Sequence, residues 1–380
     1  MARTAGETKR GKLHSYYDYS LLFLILFLVC FGLVMIYSTS SYNAQRIYGD
    51  ATYYLSRQAL LGGAGILIML FVSKIDYRLY IRKLPIIKIR PITILYFLCI
   101  FLQIAVILFA EEVKGAKRWI DIPGLGRFQP SELSKIAVIL VTAYIVNLAP
   151  RKIDKIWGFL RVALFIAPLL GLVIAENFST GLIIGLIFVS ICFVASKKKA
   201  YFIITGTVMG ALASLMIFFV DFRSDRLDAW LNVETHEKGY QILQGLYAIA
   251  SGGVFGKGLG ESMQKLGFIP ESHNDMIFSV ICEELGLFGA VALILLFILL
   301  IWRIFVIAIN APDLYGGLIA TGVLVHIASQ VLINIAVVTS TIPSTGIPLP
   351  FISYGGSSLM VVLFEMGIVL SVSNQIKAQR

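Results

Sequence analysis

The chain has 380 residues, of which 58% are apolar (AVILMFWYC) and only 14% charged, with a net charge of +10. An average soluble chain carries about 25% charged residues, and too few polar groups are present here to cover a globule of this size. Composition therefore excludes a soluble globular protein, a disordered chain and a disulfide-built secreted domain, and makes lipid the main solvent.

Taken from the N-terminus, residues 1–18 form a basic tail that leads directly into the first of ten long apolar runs. They lie near 19–37, 56–73, 92–110, 131–149, 160–175, 178–195, 201–220, 276–302, 314–338 and 351–373. Most are long enough to cross a hydrocarbon core of about 30 Å. The first run reads as a span rather than a cleaved leader, because many more follow it. Backbone groups in lipid have no water to bond, so the spans are predicted as helices. With the N-terminus in the cytoplasm, 20 Lys and Arg fall on the inner side and 11 on the outer, with Lys135 inside a span. That bias assigns the excess positive charge to cytoplasmic loops, not to nucleic acid.

The predicted fold class is thus an all-α polytopic membrane protein. It has ten transmembrane helices, both termini cytoplasmic, and one long extracellular loop at about 221–275. A single transmembrane domain, 19–375, lies between cytoplasmic tails at 1–18 and 376–380. Cys30, Cys99, Cys192 and Cys282 all lie in or beside apolar runs, where they are expected to pack as small hydrophobes, without disulfides or a metal. The runs 160–175 and 178–195 are short. Sixteen helical residues reach only about 24 Å, so the joining turn Glu176-Asn177-Phe178-Ser179-Thr180 is expected below the outer surface. The segment 111–130 mixes charge with Trp119, Ile120 and Phe128, as an interfacial segment does.

Ionisable side chains at membrane depth are costly and mark candidate functional positions. Here they are Glu132, Lys135, Glu176, Asp275, Glu283, Glu284, His326 and Glu365. Glu132 and Lys135 are three apart and share a helix face, which suits either a structural ion pair or the wall of a substrate cavity. Pro130 opens that helix, and Glu132 complements its positive end. Upstream, Lys114, Lys117, Arg118 and Arg127 form an outer cationic cluster. It serves equally as a headgroup anchor beside Trp119 or as a grip on a pyrophosphate. Asp275 lies at or near a helix start, where an acceptor side chain is ordinarily a cap; spacing alone leaves capping and catalysis both open. Glu283 lies about 12 Å further along the same broad face, with Glu284 turned away from it.

The glycine run from Gly252 to Gly260 resembles a phosphate loop only superficially. Gly258 follows Lys257 where a Walker loop needs Ser or Thr, and no strand precedes the glycines as a dinucleotide fold requires. It is read as a permissive loop. Ser353-Tyr354-Gly355-Gly356-Ser357-Ser358 opens the last helix with small residues that suit close packing or a cavity wall.

Several segments resemble the SEDS family (shape, elongation, division and sporulation: FtsW, RodA, SpoVE). They are Lys114-Gly-Ala-Lys-Arg-Trp119, Arg127-Phe-Gln-Pro-Ser-Glu-Leu-Ser-Lys135, Gly239-Tyr-Gln-Ile-Leu-Gln244, Ile269-Pro-Glu-Ser-His-Asn-Asp275 with Glu283-Glu-Leu-Gly286, and Gly346-Ile-Pro-Leu-Pro-Phe-Ile-Ser-Tyr-Gly-Gly-Ser-Ser358. The resemblance spans about 18–374. It departs at His273-Asn274-Asp275, where the family commonly has His-Thr-Asp, and at Glu176-Asn177, where it has Pro-Asp. The approach Ser344-Thr345-Gly346 is closer to the division or sporulation branch than to the elongation branch.

The resemblance implies a peptidoglycan glycosyltransferase of the bacterial cytoplasmic membrane that polymerises lipid II on its outer face. Asp275 becomes the catalytic general base, and Lys114, Arg118, Glu132 and Lys135 the substrate-binding set. Glu283, Ser357 and Ser358 are cavity candidates. No obligatory cofactor is indicated, although magnesium or manganese would suit a departing pyrophosphate. The implied partners are a class B penicillin-binding protein that cross-links the strands and other divisome or elongasome membrane proteins. Two rivals share these residues: a lipid II flippase, and a non-catalytic scaffold for a synthase.

Overall fold

The computed structural model describes residues 14–85, 88–112, 117–122, 126–200, 202–204, 206–208, 210 and 227–378. Nine described helices are long and apolar enough to cross a membrane. They are α1 (Tyr19–Tyr48), α2 (Tyr53–Lys74), α3 (Pro91–Phe109), α4 (Pro130–Leu148), α5 (Ile156–Glu176), α6 (Phe178–Ala195), α8 (Ile277–Asn310), α9 (Leu314–Val338) and α10 (Gly356–Asn374). A shorter helix, α7 (Tyr240–Gly252), precedes α8. The predicted span at 201–220 falls largely outside the described residues.

The helix starts follow local chemistry. Asp18 caps α1 by accepting from the Leu21 N–H at 2.9 Å, and proline occupies the first turn of both α3 and α4, where its missing N–H costs nothing. Two short antiparallel pairs complete the fold: β1 (His14–Ser15) with β4 (Lys377–Ala378), and β2 (Ile120–Ile122) with β3 (Gly126–Phe128). Pairing of β1 with β4 sets His14 and Ser15 beside Ala378 and Lys377.

Helices α4 and α10 are the most enclosed, while α2, α3 and α5 turn most of their surface outward. A Cβ at Gly65 would stand 2.7 Å from Leu363 Cδ1, so α2 and α10 approach more closely than larger residues allow. Contacts between helices agree with the alternating orientation read from the charge bias. Ser358 of α10 meets Glu132 of α4 near the outer end, and Arg303 of α8 meets Asp18 near the inner end.

One expectation needs correction and two gain detail. Helix α5 runs on to Glu176, 21 residues in all, about 31 Å. Segment 111–130 contains the β2–β3 hairpin, tied by Ile120 opposite Phe128 and by an Arg127–Asp121 ion pair at 3.4 Å. The region 221–275 is no plain loop, since it carries α7 packed along α8.

Helix α8 breaks at Gly286, whose φ of 68° and ψ of −168° belong to glycine alone. The glycine run fits into that break. Lys257 and Gly258 donate backbone N–H groups to the Glu283 and Glu284 carbonyls at 2.9 and 3.0 Å. Leu287 and Phe288 donate to Gly253 and Val254 at 2.9 and 3.0 Å. The permissive loop is therefore a docked one, and the break leaves carbonyls and N–H groups for it to satisfy.

Candidate active site

The site is built from two halves joined by the segment 346–358. On one side, α4 presents Glu132 in its first turn and Lys135 one turn on, and their side chains pair at 2.9 Å. Both are buried, with side-chain exposures of 7% and 1%. A second bond from Ser358 reaches the other Glu132 oxygen at 3.0 Å. Ser357 lies beside it, half-buried, in the first turn of α10. Deeper between α9 and α10, His326 Nδ1 meets Glu365 at 2.7 Å, and both are fully buried.

On the other side stands Asp275. The cap position of α8 belongs to Met276, so Asp275 precedes the helix instead of occupying its N-cap. Its carbonyl accepts from Asn334 Nδ2 at 2.8 Å, and the same amide nitrogen donates to the Ile347 carbonyl at 2.9 Å. Gln241 of α7 reaches the Asp275 carboxylate at 3.5 Å and the Pro270 carbonyl at 3.3 Å. The preceding residues are stitched to the 346–358 segment. Ser353 Oγ donates to the Asn274 carbonyl at 2.7 Å, and the Tyr354 N–H to the His273 carbonyl at 2.9 Å. Gly346, with φ of 67°, runs close to the Asp275 carboxylate, and a Cβ there would stand 4.0 Å from Oδ2. Segment 346–358 thus fixes Asp275 at one end and supplies Ser358 to Glu132 at the other.

Arg118 is half-buried and within electrostatic reach of Glu176 at the outer end of α5. With the Gln103 amide in the orientation that satisfies both partners, its nitrogen donates to the Glu176 oxygens at 2.9 and 3.2 Å. Lys114 lies outside the described residues. Glu283, expected in the cavity wall, is enclosed instead: its carboxylate is 0% exposed and surrounded by the loop before α8. Among the described residues no three His, Cys, Asp or Glu gather as a metal cage, and the Glu132 carboxylate is already engaged by Lys135 and Ser358.

Residues 19–378 match the family described as cell cycle protein FtsW/RodA/SpoVE. The chain belongs to that family. It is 37% identical over 371 residues to the probable peptidoglycan glycosyltransferase FtsW of Trichlorobacter lovleyi, covering 95% of this chain and 94% of that one. It is 37% identical over 375 residues to stage V sporulation protein E of Bacillus subtilis, covering 94% and 96%. Among solved structures, it superposes on a chain from a peptidoglycan synthase complex that coordinates polymerisation and crosslinking. The TM-score is 0.78 at 26% identity, over 94% of this chain and 97% of that chain. The rod shape determining protein RodA of Thermus thermophilus gives 0.69 at 26%, over 95% and 97%. Like others of the FtsW/RodA/SpoVE family, the protein is a multi-pass protein of the bacterial cytoplasmic membrane.

Sequence reasoning missed Asn334, Gln241, Gln103 and Gln58 as site-builders. Gln58 holds the 353–355 turn by donating to the Ser353 carbonyl at 3.3 Å and accepting from the Gly355 N–H at 3.2 Å. The available signal was an amide side chain inside or beside an apolar run, which is costly to bury without hydrogen-bond partners.

Proposed function

We propose that this FtsW/RodA/SpoVE protein is a peptidoglycan glycosyltransferase that polymerises lipid II on the outer face of the membrane. The observation that carries the reading is Asp275: a carboxylate at the outer start of α8, held by its backbone through Asn334 and approached by Gln241. In the reaction, the acceptor sugar hydroxyl gives its proton to Asp275. The hydroxyl oxygen forms the new bond to the donor's anomeric carbon. The bond from that carbon to the polyprenyl pyrophosphate breaks, and the pyrophosphate leaves as an anion. Lys135 and Arg118 stabilise that departing charge, with Glu132 and Ser358 fixing the direction of the Lys135 ammonium. Lys114 belongs to the same cationic set by its position in the motif.

A flippase must open alternately to both sides. Here the inner end is cross-braced by the β1–β4 pair, by Arg303 with Asp18 at 2.7 Å, and by Tyr77 and Arg78 with Asp313 at 2.8 and 2.7 Å. That bracing favours a fixed outer-facing site over alternating access. The names of the curated relatives, probable peptidoglycan glycosyltransferases, point the same way. The proposed partner is a class B penicillin-binding protein within a synthase complex, with other division or elongation membrane proteins around it.

The test is purified protein with its transpeptidase partner and labelled lipid II. A ladder of glycan chains is expected. Lipid II scrambling between leaflets without any ladder would favour the flippase, and neither activity would leave the scaffold.

A further inference from the structure

Two adjacent glutamates, Glu283 and Glu284, are both 0% exposed just before the break at Gly286. Two buried carboxylates side by side are costly unless each is paired and hydrogen-bonded. Each meets a lysine, and both lysines come from one stretch of the loop before Asp275. Lys257 reaches Glu283 at 2.6 Å, and Lys265 reaches Glu284 at 2.7 Å. Glu283 also accepts from the Ser262 hydroxyl, from Ser251 Oγ at 3.3 Å, and from the backbone N–H groups of Met263 and Gln264 at 3.2 and 3.4 Å. Glu284 accepts from Ser38 Oγ of α1 at 2.7 Å, and Lys265 donates further to Ser38 at 3.1 Å and to the Gly260 carbonyl at 2.6 Å. One carboxylate thus gathers residues 251–264, and the other ties the same stretch to α1.

From Lys265 the chain has only ten residues to reach Asp275. Along them the Ile269 N–H donates to the Gln264 carbonyl at 2.9 Å, and Ser272 Oγ to the Thr39 carbonyl of α1 at 3.1 Å. The loop is therefore pinned at Glu283, at Glu284 and along α1 before it delivers Asp275.

We propose that Glu283 and Glu284 are positioning residues for the polymerisation reaction, a two-carboxylate latch that holds the outer loop so that Asp275 meets the acceptor hydroxyl. The proposal rests on the reading of Asp275 as the base. Neither glutamate touches substrate in this account. The substrate-binding side chains Glu132 and Lys135 stand on α4, and the latch bonds named above reach only α1, α7, α8 and the loop itself. Loosening the latch therefore lowers turnover and spares lipid II binding, since a displacement of about 1 Å at a reacting group costs on the order of a hundredfold in rate.

The experiment compares the full-length protein in nanodiscs, with its transpeptidase partner, as wild type, Glu284→Gln, Lys265→Arg, and the swap Lys265→Glu with Glu284→Lys. Polymerisation rate and lipid II affinity are read separately. Glu284→Gln is expected to lose at least about tenfold in rate with affinity within about twofold, while Lys265→Arg and the swap recover most of the rate. A wild-type rate in Glu284→Gln, or a loss of affinity matching the loss of rate, would overturn the latch. Should Glu284→Gln fail to fold, Ser38→Ala and Lys265→Met carry the same comparison, and wild-type rates in both would overturn it equally. Asp275→Asn run alongside separates the two ideas. Polymerisation by that variant would sink the base assignment, whereas the latch is judged on the Glu284 and Lys265 variants alone.

Discussion

Asn334 donates its side-chain amide to the backbone carbonyl of Asp275 at 2.8 Å, across a separation of 59 residues. The same nitrogen reaches Ile347 at 2.9 Å, so one buried amide on α9 sets the spacing between the Asp275 motif and the 346–358 segment. Replacing it by leucine, similar in size, would remove the partner of the buried Ile347 carbonyl, at about 1–3 kcal/mol, and of the half-buried Asp275 carbonyl. Asn334→Leu should insert normally, melt at lower temperature, and polymerise at least about tenfold more slowly. A wild-type rate would show that Asp275 is positioned by other contacts.

The Glu132–Lys135 pair separates structure from function through a neutral double replacement. Removing Lys135 alone would strand a buried carboxylate at about 3–5 kcal/mol, so loss of activity in that single variant would be ambiguous. Glu132→Gln with Lys135→Met leaves no lone charge. If the pair serves the substrate, this variant keeps its melting temperature within a few degrees and makes no glycan. Retained polymerisation would reduce the pair to a packing element.

At Gly286 a Cβ would stand 2.5 Å from the Val254 carbonyl oxygen, in a backbone conformation that only glycine adopts readily. Gly286→Ala should cost about 1–3 kcal/mol in backbone strain and also push out the glycine run. Limited proteolysis should then cut within 253–268, where the wild type resists. An unchanged digestion pattern would mean the loop is held without the break.

Reporter fusions test the orientation. Fusions after Lys199 and Arg380 should read cytoplasmic, and one near Lys238 external. An external reading at Lys199 would contradict the ten-span arrangement and the positive-inside assignment behind it.

The helical architecture was legible because apolar length is a strong signal in lipid, and the Glu132–Lys135 pair was legible from its spacing of three. The break in α8 was not, because a glycine beside an apolar run does not by itself mark a helix break. The β2–β3 hairpin escaped because three-residue strands leave too little alternation to read. Glu283 was misjudged for a different reason: its partner Lys257 counted as a loop charge, and only the fold brings it to a buried carboxylate. Asn334 and Gln241 stand out less than the ionisable groups because an amide carries no charge, although a buried amide needs partners just as firmly.

The central claim is that Asp275 takes the acceptor proton, and Asp275→Asn tests it most directly. Asparagine matches aspartate in size and shape and can keep a hydrogen bond with Gln241, yet it has no carboxylate to accept a proton. The measurement is gel-resolved polymerisation of labelled lipid II by the purified variant with its partner, beside lipid II binding and a melting curve. The account predicts wild-type melting, wild-type binding and no glycan ladder. A ladder formed at near wild-type rate would contradict it.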